Sequence, residues 1–348
     1  MSATVEPTLF DFVNGGSRIG RAISETPEQL EYSLSQEVDL HYDFNKVCVC
    51  GMGASAIAGD IFADFANETS SMPINVVRGV MLPRWVDSDT LTLITSYSGN
   101  TWETLELYKQ AKSRGCPVVS VTSGGELQRL GQRDGVPTFT VPKGIQPRAA
   151  LGHILGLTAN TLESLGVCPS RTELKRIIPE LKELRDSMMP NSGDNEAINL
   201  AESLYGTVPV IYGHPNMAAS ALRWKTQINE NSKMLAFSGI MPGFNHNEIV
   251  GWVEGSPTMR CSPVVLYDAN APETLKSIID ATVDSLRDSG VEVHEVQVEG
   301  DGSLEKNLRS SIIGDFVSLY LAFLRKVDPE PVASIMSLKE RLGLSLRQ

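Results

Sequence analysis

Lys46-Val-Cys-Val-Cys-Gly-Met-Gly-Ala-Ser55 decides the fold. Its first five residues form a short apolar run, which reads as a buried strand ending at Gly51. A stretch with helical character follows directly, from about Ser55 to Asn67. A buried strand that feeds a helix through a glycine turn is the first half of a βαβ unit. Downstream, Ile74–Arg78, Thr90–Thr95, Pro117–Thr122 and Thr138–Val141 are β-branched and apolar, with helical stretches such as Thr101–Arg114 between them. Alternating strands and helices of this length predict a parallel, doubly wound sheet over residues 41–165.

The pattern then pauses and restarts. Residues 1–40 read as a polar, helical N-terminal segment, and residues 166–195 as a charged connecting segment that turns loop-like at Pro190–Asp194. Over 196–348 the strands Val208–Tyr212, Val264–Asp268 and Val291–Val298 alternate with helices from Met217, over Pro272–Asp288 and over Ile312–Lys326. A last helix is expected over Val332–Leu342. The prediction is an α/β chain with two doubly wound parallel-sheet domains, the second ending in a C-terminal helix. No clean sequence repeat accompanies the repeated architecture.

Composition narrows the function classes. A chain of 348 residues has room for two domains, and 41% hydrophobic residues suffice for large cores. The net charge of −12, with no run of Lys and Arg, argues against nucleic acid and anionic membranes as partners. It leaves room for a phosphorylated small molecule, because backbone N–H groups and helix dipoles can hold a phosphate without cations. The N-terminus lacks the apolar core of a signal peptide, and no apolar stretch approaches the about 20 residues that span a bilayer. Five scattered cysteines fit a reducing cytoplasm, with Cys48 and Cys50 acting as small buried hydrophobes on one side of a strand.

Ligands of open parallel sheets bind at the carboxyl ends of strands. Three such ends here are rich in glycine and hydroxyls. The first is Cys50-Gly-Met-Gly-Ala-Ser55, where Gly53 and Ser55 open a helix. The second is Thr95-Ser-Tyr-Ser-Gly-Asn-Thr101, which places Ser96, Ser98 and Thr101 around one glycine before a helix. The third is Val121-Thr-Ser-Gly-Gly125. Small donors beside a helix N-terminus make an anion cradle that uses no lysine or arginine. Taken singly, each is also an ordinary capped turn. Converging on one crevice, they point to a phosphate.

These residues resemble a known family. Gly51–Ser55 and Ser96–Thr104 look like the paired phosphate loops of sugar-isomerase (SIS) domains. Ile145-Gln-Pro-Arg-Ala-Ala-Leu151, Ile228-Asn-Glu-Asn-Ser-Lys233 and Asn245-His-Asn-Glu248 are similar to later signatures of the bifunctional phosphoglucose/phosphomannose isomerases. The resemblance covers nearly the whole chain. It implies two SIS domains, each a flavodoxin-like three-layer sandwich. The activity implied is an aldose–ketose isomerisation of glucose 6-phosphate, and of mannose 6-phosphate, with fructose 6-phosphate, in a cytoplasmic homodimer of carbohydrate metabolism (glycolysis and gluconeogenesis). Active sites would lie near the subunit interface. The chemistry moves a proton between C1 and C2 through an enediol and opens the sugar ring, so it requires acid–base groups and no cofactor.

By the same resemblance Glu230 is the base and His246 the ring-opening group. The residues agree with those roles. Glu230 falls near the C-terminus of a helix-like run, where the negative end of the dipole favours a carboxylate that accepts a proton. Histidine is the side chain that titrates nearest neutral pH unaided. Arg148, isolated before an apolar helix, is assigned to the active site and could steady the enediolate charge. Lys339 is placed near the substrate by resemblance; on its own pattern it reads as part of a solvated helix face. His214 opens the second domain's first strand–helix turn, and none of His41, His153, His214 and His294 has metal-ligand spacing. The chain departs from the family at Ala54, where relatives carry glycine, and at Glu330, where many carry threonine beside the sugar's C2.

Two other readings compete. A sugar-phosphate-binding regulatory module would keep the hydroxyl loops without needing Glu230 or His246. A nicotinamide-dependent oxidoreductase could use Gly51-Met-Gly-Ala-Ser-Ala56, but the next strand ends in Val77-Arg78, without an acidic residue for a ribose.

Overall fold

The structure is a computed structural model and describes residues 17–255 and 260–341. Residues 1–16 of the expected N-terminal segment and Leu342 at the end of the last helix lie outside the described residues. The chain forms two compact units. One comprises Ser24–Pro179 with Pro331–Gln348, the other Met1–Ile23 with Glu180–Glu330.

The first unit is built on a five-stranded, all-parallel sheet in the order β2-β1-β3-β4-β5. Its strands are β1 (Lys46–Gly51), β2 (Ile74–Val77), β3 (Thr90–Ser96), β4 (Val118–Thr122) and β5 (Thr138–Thr140). Helices α3 (Gly53–Thr69), α4 (Trp102–Ser113) and α5 (Gly125–Asp134) follow β1, β3 and β4. Strands β3 and β4 are buried along their whole length and β1 beyond Lys46, which is why they read as short apolar runs. Cys48 and Cys50 face the same side with their sulfurs 3.7 Å apart, both inside the core.

The expected N-terminal segment contributes α1 (Arg18–Ser24) and α2 (Thr26–Leu34). In the first unit α2 packs against α6 (Leu151–Ser164). Glycine makes that approach possible: a Cβ on Gly152 would sit 2.4 Å from the Thr26 carbonyl oxygen, and one on Gly156 2.6 Å from Ser33 Cβ. The seam carries polar bonds, with Gln29 donating to the Ala149 carbonyl at 2.9 Å and Asn160 to the Ser33 carbonyl at 2.9 Å.

His153 lies in this seam, 5% exposed, with Nδ1 3.0 Å from Ser33 Oγ and Tyr32 packed edge-on. Burial pushes its imidazole down from 6.5 to about 4, against a smaller opposing pull from Glu25. Because the folded value lies below the unfolded one, the histidine's contribution is complete above about pH 6.5 and is lost as pH falls towards 4. We expect it to account for about 2 kcal/mol of destabilisation between neutral pH and about pH 4.5. Urea unfolding at each pH should show a flatter profile for His153→Gln; an unchanged slope would place the acid sensitivity elsewhere.

The second unit has a four-stranded parallel sheet in the order β7-β6-β8-β9. Its strands are β6 (Val208–Gly213), β7 (Phe237–Ile240), β8 (Cys261–Tyr267) and β9 (His294–Gln297). Numbered within each unit, both sheets run 2-1-3-4, and the first adds a fifth strand. The repeat expected in architecture is therefore a repeat in topology. Helix α7 (Ser170–Ser187) occupies most of the expected connecting segment, and α8 (Glu196–Leu204) precedes β6. Helix α9 (Ala218–Asn231) follows β6, the short α10 (Glu248–Val253) follows β7, and α11 (Glu273–Asp288) follows β8. Helix α12 (Gly302–Leu324) begins ten residues before its sequence-based estimate, because its first turns carry Glu305, Lys306, Asn307 and Arg309 rather than an apolar stripe. Those polar residues are buried or nearly so. The last helix, α13 (Ala333–Arg341), groups with the first unit.

Candidate functional site

In the first sheet the winding reverses between β1 and β3, the place where open α/β sheets hold ligands. Gly51 pairs with Thr95 there, so the two glycine–hydroxyl loops leave adjacent strands side by side. Glycine suits position 51 because the turn is tight there: a Cβ would lie 3.0 Å from the Thr95 carbonyl oxygen. Gly53 follows with φ 52° and opens α3, with Ser55 buried in its first turn. Ala54, the departure noted above, lies inside α3 and is not among the residues of positive φ, so its methyl is accommodated without strain.

The β3 loop is tightly built. Ser96 is buried and donates to Thr101 Oγ1 at 3.0 Å, while Ser98 is exposed and accepts from the Asn100 N–H at 3.2 Å. Thr101 accepts the bond from Ser96 and does not cap its own helix α4. Neither Met52 nor Thr101 closes the helix that it precedes with a side-chain bond. Two helix N-termini therefore present their first-turn N–H groups at one switch point, the arrangement that favours an anion.

The third strand end plays a different part from the one that composition predicts. Gly99, with φ 68°, sits so close to it that a Cβ would fall 1.8 Å from the Gly124 carbonyl oxygen. Asn100 Oδ1 accepts from the Glu126 N–H at 2.9 Å and caps α5 from across the gap, and Leu127 N–H donates to the Gly99 carbonyl. Thr122 spends its hydroxyl on the Gly124 carbonyl at 2.9 Å. The Thr122–Gly125 loop braces the Ser96–Thr101 loop rather than adding donors to it.

Tyr97, between the two serines, was not singled out by residue chemistry. Its hydroxyl donates to the Pro142 carbonyl at 2.8 Å and accepts from the Ile145 N–H at 3.0 Å. It thereby ties the segment that runs into Arg148 to the hydroxyl loop. Arg148 is 5% exposed, in a 3₁₀ turn (Pro147–Ala149) packed against α3. An arginine so deeply placed is no surface residue. Lys143 lies on the same segment, and a Cβ on Gly124 would be 2.9 Å from its ammonium. A cation thus stands at the rim of a cradle that the sequence alone described as free of them.

Glu230 and His246 belong to the second unit. Glu230 is in the last turn of α9, half-buried, as expected from the helical run. The rest of that signature is spent on scaffolding against α12. Asn231 donates to Ser318 Oγ at 2.9 Å, and Ser232 to the Ser318 carbonyl at 2.7 Å. One turn earlier, Gln227 donates to Asp315 at 2.8 Å, and Arg223 pairs with Asp315 deep in the helix interface. Trp224 donates to the Ser310 carbonyl at 2.7 Å, its ring packed where any Cβ on Gly314 would clash. Helix α9 is therefore held along one face by buried polar bonds, which fixes where its last turn ends.

His246 closes a 3₁₀ turn (Gly243–His246) between β7 and α10. Phe244 anchors the turn by packing edge-on against Tyr212, with ring centroids 4.7 Å apart, and Asn245 donates to Thr282 at 2.7 Å. His246 itself is exposed on the outer side of that anchored turn. Lys339 is half-buried in α13, which groups with the first unit. His214 does follow β6 at the second sheet's switch point, but there it is buried. Its Nε2 lies 3.5 Å from Asp268, which in turn receives Lys306 at 2.7 Å. The corresponding place in the second sheet is thus filled by an internal charge cluster instead of a hydroxyl loop. Glu330 Oε1 accepts from the Ile19 N–H at 3.3 Å, in the first turn of α1.

The structure thus gathers Gly53, Ser55, Ser96, Ser98 and Thr101 at one switch point, with Arg148 in the same unit. It carries Glu230 and His246 on separate elements of the other.

Comparison with known proteins fits this division. Residues 42–131 match the SIS domain family, and residues 193–342 match the bacterial phospho-glucose isomerase C-terminal SIS domain. A bifunctional phosphoglucose/phosphomannose isomerase from Caldicellulosiruptor bescii is 34% identical, over 92% of this chain and 98% of that protein. One from Aquifex aeolicus is 36% identical, over 86% of this chain and 91% of its own. The C-terminal domain of glucosamine-fructose-6-phosphate aminotransferase from Francisella tularensis shares the fold at 13% identity, with a TM-score of 0.74 over 92% of this chain and 99% of that one. Identity of this extent, spanning both units and nearly the full length of the relatives, makes the chain an isomerase of the bifunctional phosphoglucose/phosphomannose isomerase family.

Proposed function

We propose that the protein interconverts glucose 6-phosphate and mannose 6-phosphate with fructose 6-phosphate by proton transfer between C1 and C2. The observation that carries this reading is the first sheet's switch point, where two uncapped helix N-termini and the hydroxyls of Ser55, Ser96, Ser98 and Thr101 suit a phosphate dianion. In this mechanism Glu230 takes the proton from one carbon and returns it to the other, through an enediol. His246 passes the proton that opens the ring. Arg148, a fixed cation, steadies the charge that develops on the enediolate oxygen, and Lys339 reaches the sugar from α13.

Acceptance of both C2 epimers is supported by the engagement of Glu330. Its carboxylate has a partner other than the sugar, the Ile19 N–H in the first turn of α1. The exposed position of His246 on an anchored turn supports a homodimer in which this residue serves at the interface. A cytoplasmic place in carbohydrate metabolism follows from the substrates.

The test is to incubate the purified protein with fructose 6-phosphate and to follow glucose 6-phosphate and mannose 6-phosphate separately. Both products are expected. Glucose 6-phosphate alone would keep the mechanism and overturn the epimer tolerance. Binding of the sugar phosphate without either product would leave a regulatory module.

A further inference from the structure

Among the described residues, the non-glycine residues of positive φ are Lys233 and Lys326. Each sits two residues past a helix, Lys233 after α9 and Lys326 after α12. That position commonly takes the left-handed conformation, and glycine is the residue that adopts it without steric cost. A lysine at such a place carries a backbone cost that a side-chain contact can offset.

Lys233 has one. Its ammonium donates to the main-chain carbonyl of Glu230 and, at 3.1 Å, to the carbonyl of Pro329. The first bond falls on a main-chain carbonyl in the last turn of α9. The second ties that same turn to the segment following α12. The left-handed backbone is what turns the lysine stem back towards its own helix. Asn231 and Ser232 already pin the turn from the α12 side, and Lys233 closes it from the other.

We propose that Lys233 is a positioning residue for the reaction: it holds the last turn of α9 against Pro329 and so fixes the carboxylate of Glu230 where the proton is transferred. The inference rests on the reading of Glu230 as the base. In this reading Lys233 acts through Glu230 rather than on the substrate. Lys233 is an exposed residue, so its bonds add little to global stability, and their value lies in the geometry of one turn.

The experiment compares kcat, KM and Tm of Lys233→Met, Lys233→Gly and Lys233→Arg with those of the wild type, with Glu230→Gln and Lys326→Gly run in parallel. Lys233→Met keeps the stem and the backbone demand but loses the donor. Lys233→Gly removes the backbone demand as well and guards against misfolding. Both are expected to lower kcat by roughly 10- to 100-fold, the scale of a displaced catalytic group, with KM within about twofold and Tm within a few degrees. Lys233→Arg should recover part of kcat, and Lys326→Gly, the same backbone change at the other helix end, should leave it unchanged. Wild-type kcat in both donor-free variants, beside an inactive Glu230→Gln, would overturn the positioning role. So would a joint fall of kcat, KM quality and Tm that arginine fails to relieve. An active Glu230→Gln would instead remove the base reading on which the proposal stands.

Discussion

Glu230→Gln should abolish turnover, by about 10³-fold or more, while sugar-phosphate binding stays nearly intact. Glutamine keeps the shape of the side chain and loses the ability to take a proton from carbon. Binding is expected to survive because the proposed phosphate contacts, Ser55, Ser96, Ser98 and Thr101, lie on other elements. The measurement pairs steady-state kinetics from fructose 6-phosphate with the Kd of the inactive variant for a non-isomerisable sugar phosphate. Retained turnover would take Glu230 out of the mechanism. A lost Kd with residual turnover would make it a binding residue.

Asp315→Ala is expected to cost about 3–5 kcal/mol, the largest stability effect in the second unit. Asp315 and Arg223 are each 1% exposed and face one another between α12 and α9. Burial pushes the Asp315 carboxyl up, and Arg223 and then Gln227 pull it back down. Deleting the carboxylate takes that counter-charge from a guanidinium that stays buried. Truncating one partner is far costlier than replacing both by apolar groups of similar volume. The paired variant Arg223→Met/Asp315→Leu should therefore recover most of the loss. Urea unfolding of the three proteins decides the matter: a single variant within about 1 kcal/mol of wild type would mean that the pair adds little. Helix α9, which carries Arg223, also carries Glu230, so kcat in Asp315→Ala should fall well before global unfolding.

The two expectations draw on unlike layers of information. Glu230 was named as a candidate through the resemblance of Ile228–Lys233 to a family signature, and Ser96, Ser98 and Thr101 stand out as one dense run of hydroxyls around a glycine. Both are local patterns, and the turn chemistry that makes them recognisable is local too. Arg223 and Asp315 were not legible. They stand 92 residues apart, and nothing near either one names the other. The edge strand β7 and the short helix α10 were missed for a related reason. Phe237–Ile240 is too short and too polar at its centre to signal a strand until β6 supplies its hydrogen bonds.

What the sequence by itself determined is the class of the fold; it also named which residues to examine as site candidates. Period, glycine turns and hydroxyl density are properties of neighbours along the chain, and they are conserved when the chain folds. What only the tertiary structure decided is how those residues are held. It alone made the third glycine loop a brace, because Gly99 must reach Gly124 across two strands. It alone filled the second switch point with His214, Asp268 and Lys306, turned Glu330 towards α1, and set Lys233 on the carbonyl of Glu230. These are contacts between segments distant in the chain or set by a backbone torsion. Their energies depend on burial and approach, which no local pattern records.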